Sequence, residues 1–306
     1  MDRVRTKRER GAALILIVAI VLLILLAGLG QLALREMSKH FDQKSSLQVQ
    51  FDKLESALTN FVVQNKRLPC PADGRIASTA ANVGIEISFP ACNQQQYGVI
   101  PWVTLGLSET DAMDLWGARI TYRVDPALAG NAPTLMNMSN CDVSGTGSVA
   151  AGGACRTPTP TCVANPATCT SPATFLAGKG LDVWNGVGGA AGWAARINNR
   201  VTGSGAAFVL ISHGDTGAGA YNSRGNYQPG SIGPISLAPL PGTQFAGNNE
   251  MPNINNQILV LPATQGSTFR DAQRDTSRSL TNFDDVVRHP TISAILTRAS
   301  LQERVH

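Results

Sequence analysis

The hydrophobic pattern begins with an uninterrupted apolar run. Residues 12–34 carry no charge, and among them only Gln31 is strongly polar. Roughly 20 consecutive apolar residues suffice to cross a bilayer as a helix, so the run predicts a transmembrane segment. Between Gln31 and Arg67 there is neither Gly nor Pro. Over that stretch Leu47, Phe51, Leu54, Leu58 and Phe61 recur at helical spacing, which places one apolar stripe on one helix face. Gly28 and Gly30 are tolerated in a membrane helix. One helix is therefore expected from residue 12 to about residue 65, about 80 Å long. Its first half, 12–34, is transmembrane, and its second half, 35–67, is amphipathic.

Beyond this point the pattern changes. Arg67-Leu68-Pro69-Cys70-Pro71-Ala72-Asp73-Gly74 is a dense turn signal. Residues 118–124 alternate apolar and polar after Trp116-Gly117, which predicts a half-buried strand. Further strands are expected over 206–212, 257–261 and 174–177, and a helical tail over 292–304. These elements predict an α+β fold, with the long N-terminal helix packed on a small antiparallel sheet. Residues 139–172 and 214–252 lack periodicity and are rich in Gly with Pro, Thr or Asn, so they are expected as loop inserts in a head spanning 68–306.

Charge sharpens the picture only at the N-terminus. Charged residues are 15% of the chain, and 25 Lys+Arg stand against 21 Asp+Glu. Three of the four net positive charges fall within residues 1–10, where Arg3, Arg5, Lys7, Arg8 and Arg10 outweigh Asp2 and Glu9. A nearly neutral remainder argues against a nucleic-acid-binding surface, and 43% hydrophobic content argues against a disordered chain. A basic tip before an apolar run holds the N-terminus in the cytoplasm. The expected location is thus the inner membrane, single-pass, with a periplasmic head. A cleaved signal peptide has a shorter apolar core, about 7–15 residues, and a lipoprotein anchor fails because the first cysteine is Cys70.

The six cysteines, Cys70, Cys92, Cys141, Cys155, Cys162 and Cys169, form an even set of disulfide candidates for an oxidising compartment. Cys70–Cys92 would close the loop after the helix. The other four allow three pairings, of which Cys141–Cys155 with Cys162–Cys169 joins nearest neighbours. Zinc is disfavoured by the absence of any C-x2-C pair and by the scattered histidines. A hydrolase reading of Ile211-Ser212-His213-Gly214 fails, because Leu210 stands where the nucleophile elbow requires Gly. Adjacent residues on a strand also point to opposite faces. No catalytic residues are expected.

Arg10-Gly11 before Ala12-Ala13-Leu14-Ile15 resembles the leader junction of the type IV pilin and type II secretion pseudopilin superfamily. Asp114, Trp116, Gly117 and Tyr122 match a D-x-W-G motif that opens the sheet of major pseudopilins, and AFVLISHG, GAGAY and FDDVV resemble that family's sheet edge and calcium loop. The resemblance implies a leader, 1–11, cut between Gly11 and Ala12. It implies a non-enzymatic structural subunit of a type IV pilus or pseudopilus. Leu16 stands where the family's filament Glu is usual, as in minor or tip subunits. The partners implied are other pilin-like subunits, a prepilin peptidase, an inner-membrane assembly platform and membrane lipid, with no nucleic acid. No cofactor is expected except calcium, whose candidate ligands are Asp215, Asp284 and Asp285. Asp215 stands one place early in the calcium-loop motif, and the Asp pair equally suits a helix or turn cap. The rival reading is a membrane-anchored periplasmic binding or enzymatic domain.

Overall fold

The computed structural model describes Leu22 and residues 45–93, 95–130, 135–139, 141, 171–186, 195–232, 244–258, 268–277 and 280–303. Two compact units divide the chain, Met1–Gln50 and Phe51–His306. Leader residues Gly11 and Ala12, together with Leu16, lie outside the described residues, as does the run 12–34 apart from Leu22. Among the described residues no helix is long and apolar enough to cross a membrane. The single-pass inner-membrane location expected above is corrected accordingly.

Helix α1 covers residues 45–65. Leu47, Phe51, Leu54 and Leu58 of the predicted stripe are buried. Val62, four residues after Leu58, completes it in place of the half-buried Phe61. Lys66 adopts φ +57° and its N–H donates to Val62 O, a left-handed stop that satisfies an orphan carbonyl.

Among the described residues there are twelve strands: β1 (Ala72–Asp73), β2 (Gly98–Val99), β3 (Ala118–Arg119), β4 (Thr121–Val124), β5 (Asp182–Trp184), β6 (Arg196–Asn198), β7 (Phe208–Ser212), β8 (Tyr221–Asn222), β9 (Gly230–Ile232), β10 (Gln244–Ala246), β11 (Thr268–Arg270) and β12 (Val286–Arg288). Short helices α2 (Pro126–Ala129), α3 (Pro172–Leu176), α4 (Met251–Ile258) and α5 (Ile292–Arg298) lie between and after them. The strands form four sheets. One is five-stranded and antiparallel, in the order β1-β2-β4-β7-β12, and another is three-stranded, β11-β5-β6. In the second sheet β11 runs parallel to β5, and β9 and β10 form a separate parallel pair.

This corrects the expected architecture of a long helix on one small antiparallel sheet. The reason lies in β7. Its Phe-Val-Leu-Ile-Ser run is buried at every position, so both of its faces need cover. One face is covered by a second sheet: Val209 and Ile211 pack with Leu181, Val183, Ala206 and Phe269. On the other, Phe208 meets Tyr122, with ring centroids 6.1 Å apart.

The predicted strand at 174–177 is helical, and so are the two described residues of the one predicted at 257–261. Over 174–177, Ser171 caps α3 by accepting from Thr174 N, and Pro172 sits in the first turn. Residues 257–258 close α4, and 259–261 lie outside the described residues. Residues 214–252, expected as a loop insert, carry β8, β9, β10 and the start of α4. Cys70 and Cys92 form a disulfide, with Cα atoms 5.3 Å apart. Cys141 is also disulfide-bonded and buried. Cys155, Cys162 and Cys169 lie outside the described residues.

Candidate functional site

The D-x-W-G motif forms a tight turn before β3. Asp114 Oδ1 accepts from Trp116 N at 3.0 Å and Ala118 N at 2.9 Å, and Gly117 takes φ +78°. Asp114 Oδ2 accepts from Ser212 Oγ at 2.7 Å, across to the last residue of β7. Burial pushes the Asp114 carboxyl up, while the Ser212 hydroxyl and the two backbone donors oppose the shift.

The neighbouring residue, His213, is 1% exposed. Its Nε2 lies 3.0 Å from Thr121 Oγ1 on β4, and its Nδ1 lies 3.3 Å from Asp285 Oδ1. Ser212 and His213 therefore turn to different partners and do not form a nucleophile–base pair.

Asp285 belongs to a buried group of three carboxylates with Asp284 and Glu250, whose nearest oxygens all lie within 4.8 Å of one another. Asp284 Oδ2 accepts from Thr216 N at 2.8 Å and its Oδ1 from Thr216 Oγ1 at 3.1 Å. Glu250 Oε1 accepts from Asp284 N at 2.7 Å and Asn282 Nδ2 at 2.9 Å, and Oε2 accepts from Gly247 N at 2.8 Å. Asp285 Oδ2 accepts from Asn253 Nδ2 at 2.7 Å. Asn253 in turn pairs with β11 like a strand residue: its Oδ1 accepts from Arg270 N and its Nδ2 donates to Arg270 O. One polar junction thus ties the end of β7, the approach to β12, the start of α4 and β11.

Its electrostatics are one-sided. Burial raises Glu250 to about 9, reinforced by Asp285 and Asp284 and only partly countered by the Asp284 N–H. Burial also raises Asp285, against the pull of His213 and Asn253.

Of the predicted calcium ligands, Asp284 and Asp285 come together and Asp215 does not join them; it is exposed. The third carboxylate is Glu250, which lies in a stretch read as a loop. Its signal is composition, since Asp215 and Glu250 are the sole acidic residues within 214–252. Ca²⁺ takes six to eight oxygen ligands. Here every carboxylate oxygen of the group already faces a protein N–H, a hydroxyl or His213. Comparison of the chain with family models, with curated proteins and with solved structures finds no match.

Proposed function

We propose that this protein is a non-enzymatic structural subunit of a pilin-like assembly, matured by removal of residues 1–11 and joined to other pilin-like subunits. The observation that carries the reading is the use made of the head's most reactive side chains. Ser212, His213, Asp285 and Glu250 are all buried and spend their hydrogen bonds joining strands and helices to one another. A head built this way presents surfaces, not a reaction centre. The Arg10-Gly11-Ala12 junction, the Asp114 turn ahead of the central strands and the Cys70–Cys92 disulfide support the same reading. Leu16, in place of the family's Glu, favours a minor or tip position, because a subunit lacking that carboxylate lacks one docking interaction with a neighbour.

The mature N-terminus tests this. Mass spectrometry of the protein from its native host is expected to find a chain beginning at Ala12, and Gly11→Leu is expected to leave residues 1–11 in place. An intact Met1 or Asp2 start in the wild type, or normal trimming of the Gly11 variant, would defeat the reading.

A further inference from the structure

Apart from the carboxylate junction, the head holds an open, polar cavity of about 490 Å³, within the size range of small-molecule sites, about 300–1,000 Å³. Three separate stretches line it: Asn185-Gly186 after β5, Asn249 ahead of α4, and residues 272–275 beyond β11 together with Thr281. Each is fixed by its backbone. Asn185 N donates to Ala195 O at 3.1 Å, and Gly186 O accepts from Arg270 Nη1 at 3.4 Å. Next to Asn249, Asn248 N donates to Leu280 O at 2.8 Å. Asp275 and Phe283 exchange N–H···O bonds of 2.9 and 2.7 Å, and the Asp275 carboxylate accepts from Ser277 N and Thr281 Oγ1. Walls held this way spare a ligand the cost of ordering them.

Four side chains of the lining are left for a ligand. Asn249 is 5% exposed, yet its amide makes no hydrogen bond to any described residue. A polar side chain buried to that degree ordinarily has a partner. Asn185, Gln273 and Arg274 are exposed and likewise have no side-chain partner among the described residues. Their chemistry narrows the ligand. No aromatic or large apolar side chain is among the described lining residues, so neither a flat ring nor an apolar tail finds a platform. A divalent cation finds one carboxylate, Asp275, whose two oxygens are already engaged by Ser277 and Thr281. Those same hydrogen bonds hold the Asp275 carboxyl below the usual range, so a doubly charged anion such as phosphate meets repulsion beside the single guanidinium of Arg274. What the three amides offer is paired donors and acceptors, the complement of neighbouring hydroxyls that donate and accept at once. Arg274 adds a forked donor suited to one carboxylate.

We propose that this cavity binds an acidic saccharide, a hydroxyl-rich ring bearing one carboxylate, with the hydroxyls on the Asn185, Asn249 and Gln273 amides and the carboxylate on Arg274. With no aromatic side chain to stack on, affinity rests on hydrogen bonds and one ion pair, and the Kd is in the millimolar range. The site belongs to the head alone, and its occupancy is independent of whether residues 1–11 are removed.

Ligand-observed NMR titration of the full chain with glucuronate, glucose and acetate tests this. Glucuronate is expected to bind saturably, glucose about tenfold more weakly for want of the carboxylate, and acetate not at all. Arg274→Gln is expected to lower the affinity for glucuronate about tenfold and to leave that for glucose unchanged. Asn249→Ala is expected to weaken both sugars several-fold, because both use the amide. Should that variant fail to fold, the exposed Gln273→Ala supplies the same comparison. Acetate matching glucuronate would reduce the site to a bare anion contact, and glucose matching glucuronate would remove the carboxylate from the ligand. Wild-type affinity in the variants would place the sugar elsewhere on the chain. Each of these results, or failure of glucuronate to bind, overturns the proposal.

Discussion

At the residue scale, the head depends on a few positions where backbone conformation and hydrogen bonding leave no latitude. Gly214 is the sharpest. It follows His213, has φ +56°, and faces the Asp284 backbone and carboxyl at 2.5 and 2.7 Å from the position a Cβ would take. Gly214→Ala combines the strain of a left-handed alanine with a steric clash against backbone that also feeds Glu250, and is expected to cost about 2–4 kcal/mol. Denaturant titration checks this, and a loss below about 0.5 kcal/mol, the scale of an ordinary surface change, would show that the loop relaxes freely. The same neighbourhood marks where residue-level reading succeeds and stops. Asp284-Asp285 stands out in the sequence as an acidic pair, and Asp114 stands out through its D-x-W-G spacing. Thr121, Glu250 and Asn253 do not, because they are remote in sequence from their partners and are brought in by the pairing of β4 with β7 and by the bonds of Asn253 to β11 and of Glu250 to Asn282 and Asp284. Only tertiary structure creates that proximity.

Elements with strong internal patterns are legible in the sequence. The α1 stripe, β4 after its turn, β7 as an apolar run and the terminal helix α5 all fall within the predicted stretches. The two stretches misread as strands are short ones, where a few apolar residues suit strand or helix equally. At 174–177 the Ser171-Pro172 cap decides for helix, and at 257–258 the preceding Met251-Pro252 start does. Between elements, α1 is held by charge as well as by its stripe. Glu55, 3% exposed, accepts from Arg288 Nε of β12 at 2.6 Å and pairs with Arg298 at the end of α5, while Arg288 Nη2 reaches Asp52 at 2.6 Å. These side chains line an open cavity of about 360 Å³. Removing a fully buried ionic partner costs about 3–5 kcal/mol. The Arg298 and Arg288 side chains are 53% and 37% exposed, so Glu55→Ala is expected to cost less, about 2 kcal/mol. Equilibrium unfolding measures it, and a neutral result would reduce the two ion pairs of Glu55 to surface decoration.

At the scale of the whole second unit, the question is whether the five-stranded and three-stranded sheets stand or fall together. Each is small, and two- or three-stranded arrays are marginal without cover. Their shared layer is the buried set in which Val209 and Ile211 of β7, Leu181 and Ala206, Val183 of β5 and Phe269 of β11 pack, with Val287 of β12 against it. Phe269 is fully buried at the end of that chain of contacts, and its strand pairs in parallel with β5. A parallel pair of three residues has little stability of its own, so β5 and β11 owe their order to the layer they share with β7. Phe269→Ala removes the largest side chain of the layer and is expected to cost about 3–5 kcal/mol. If the layer is the cooperative core, hydrogen exchange in this variant will speed up equally at amides of β4, which contributes no side chain to the layer, and at amides of β5. Protection that collapses in β5 but persists in β4 would instead make the three-stranded sheet a separate, weaker unit resting on an independently stable one.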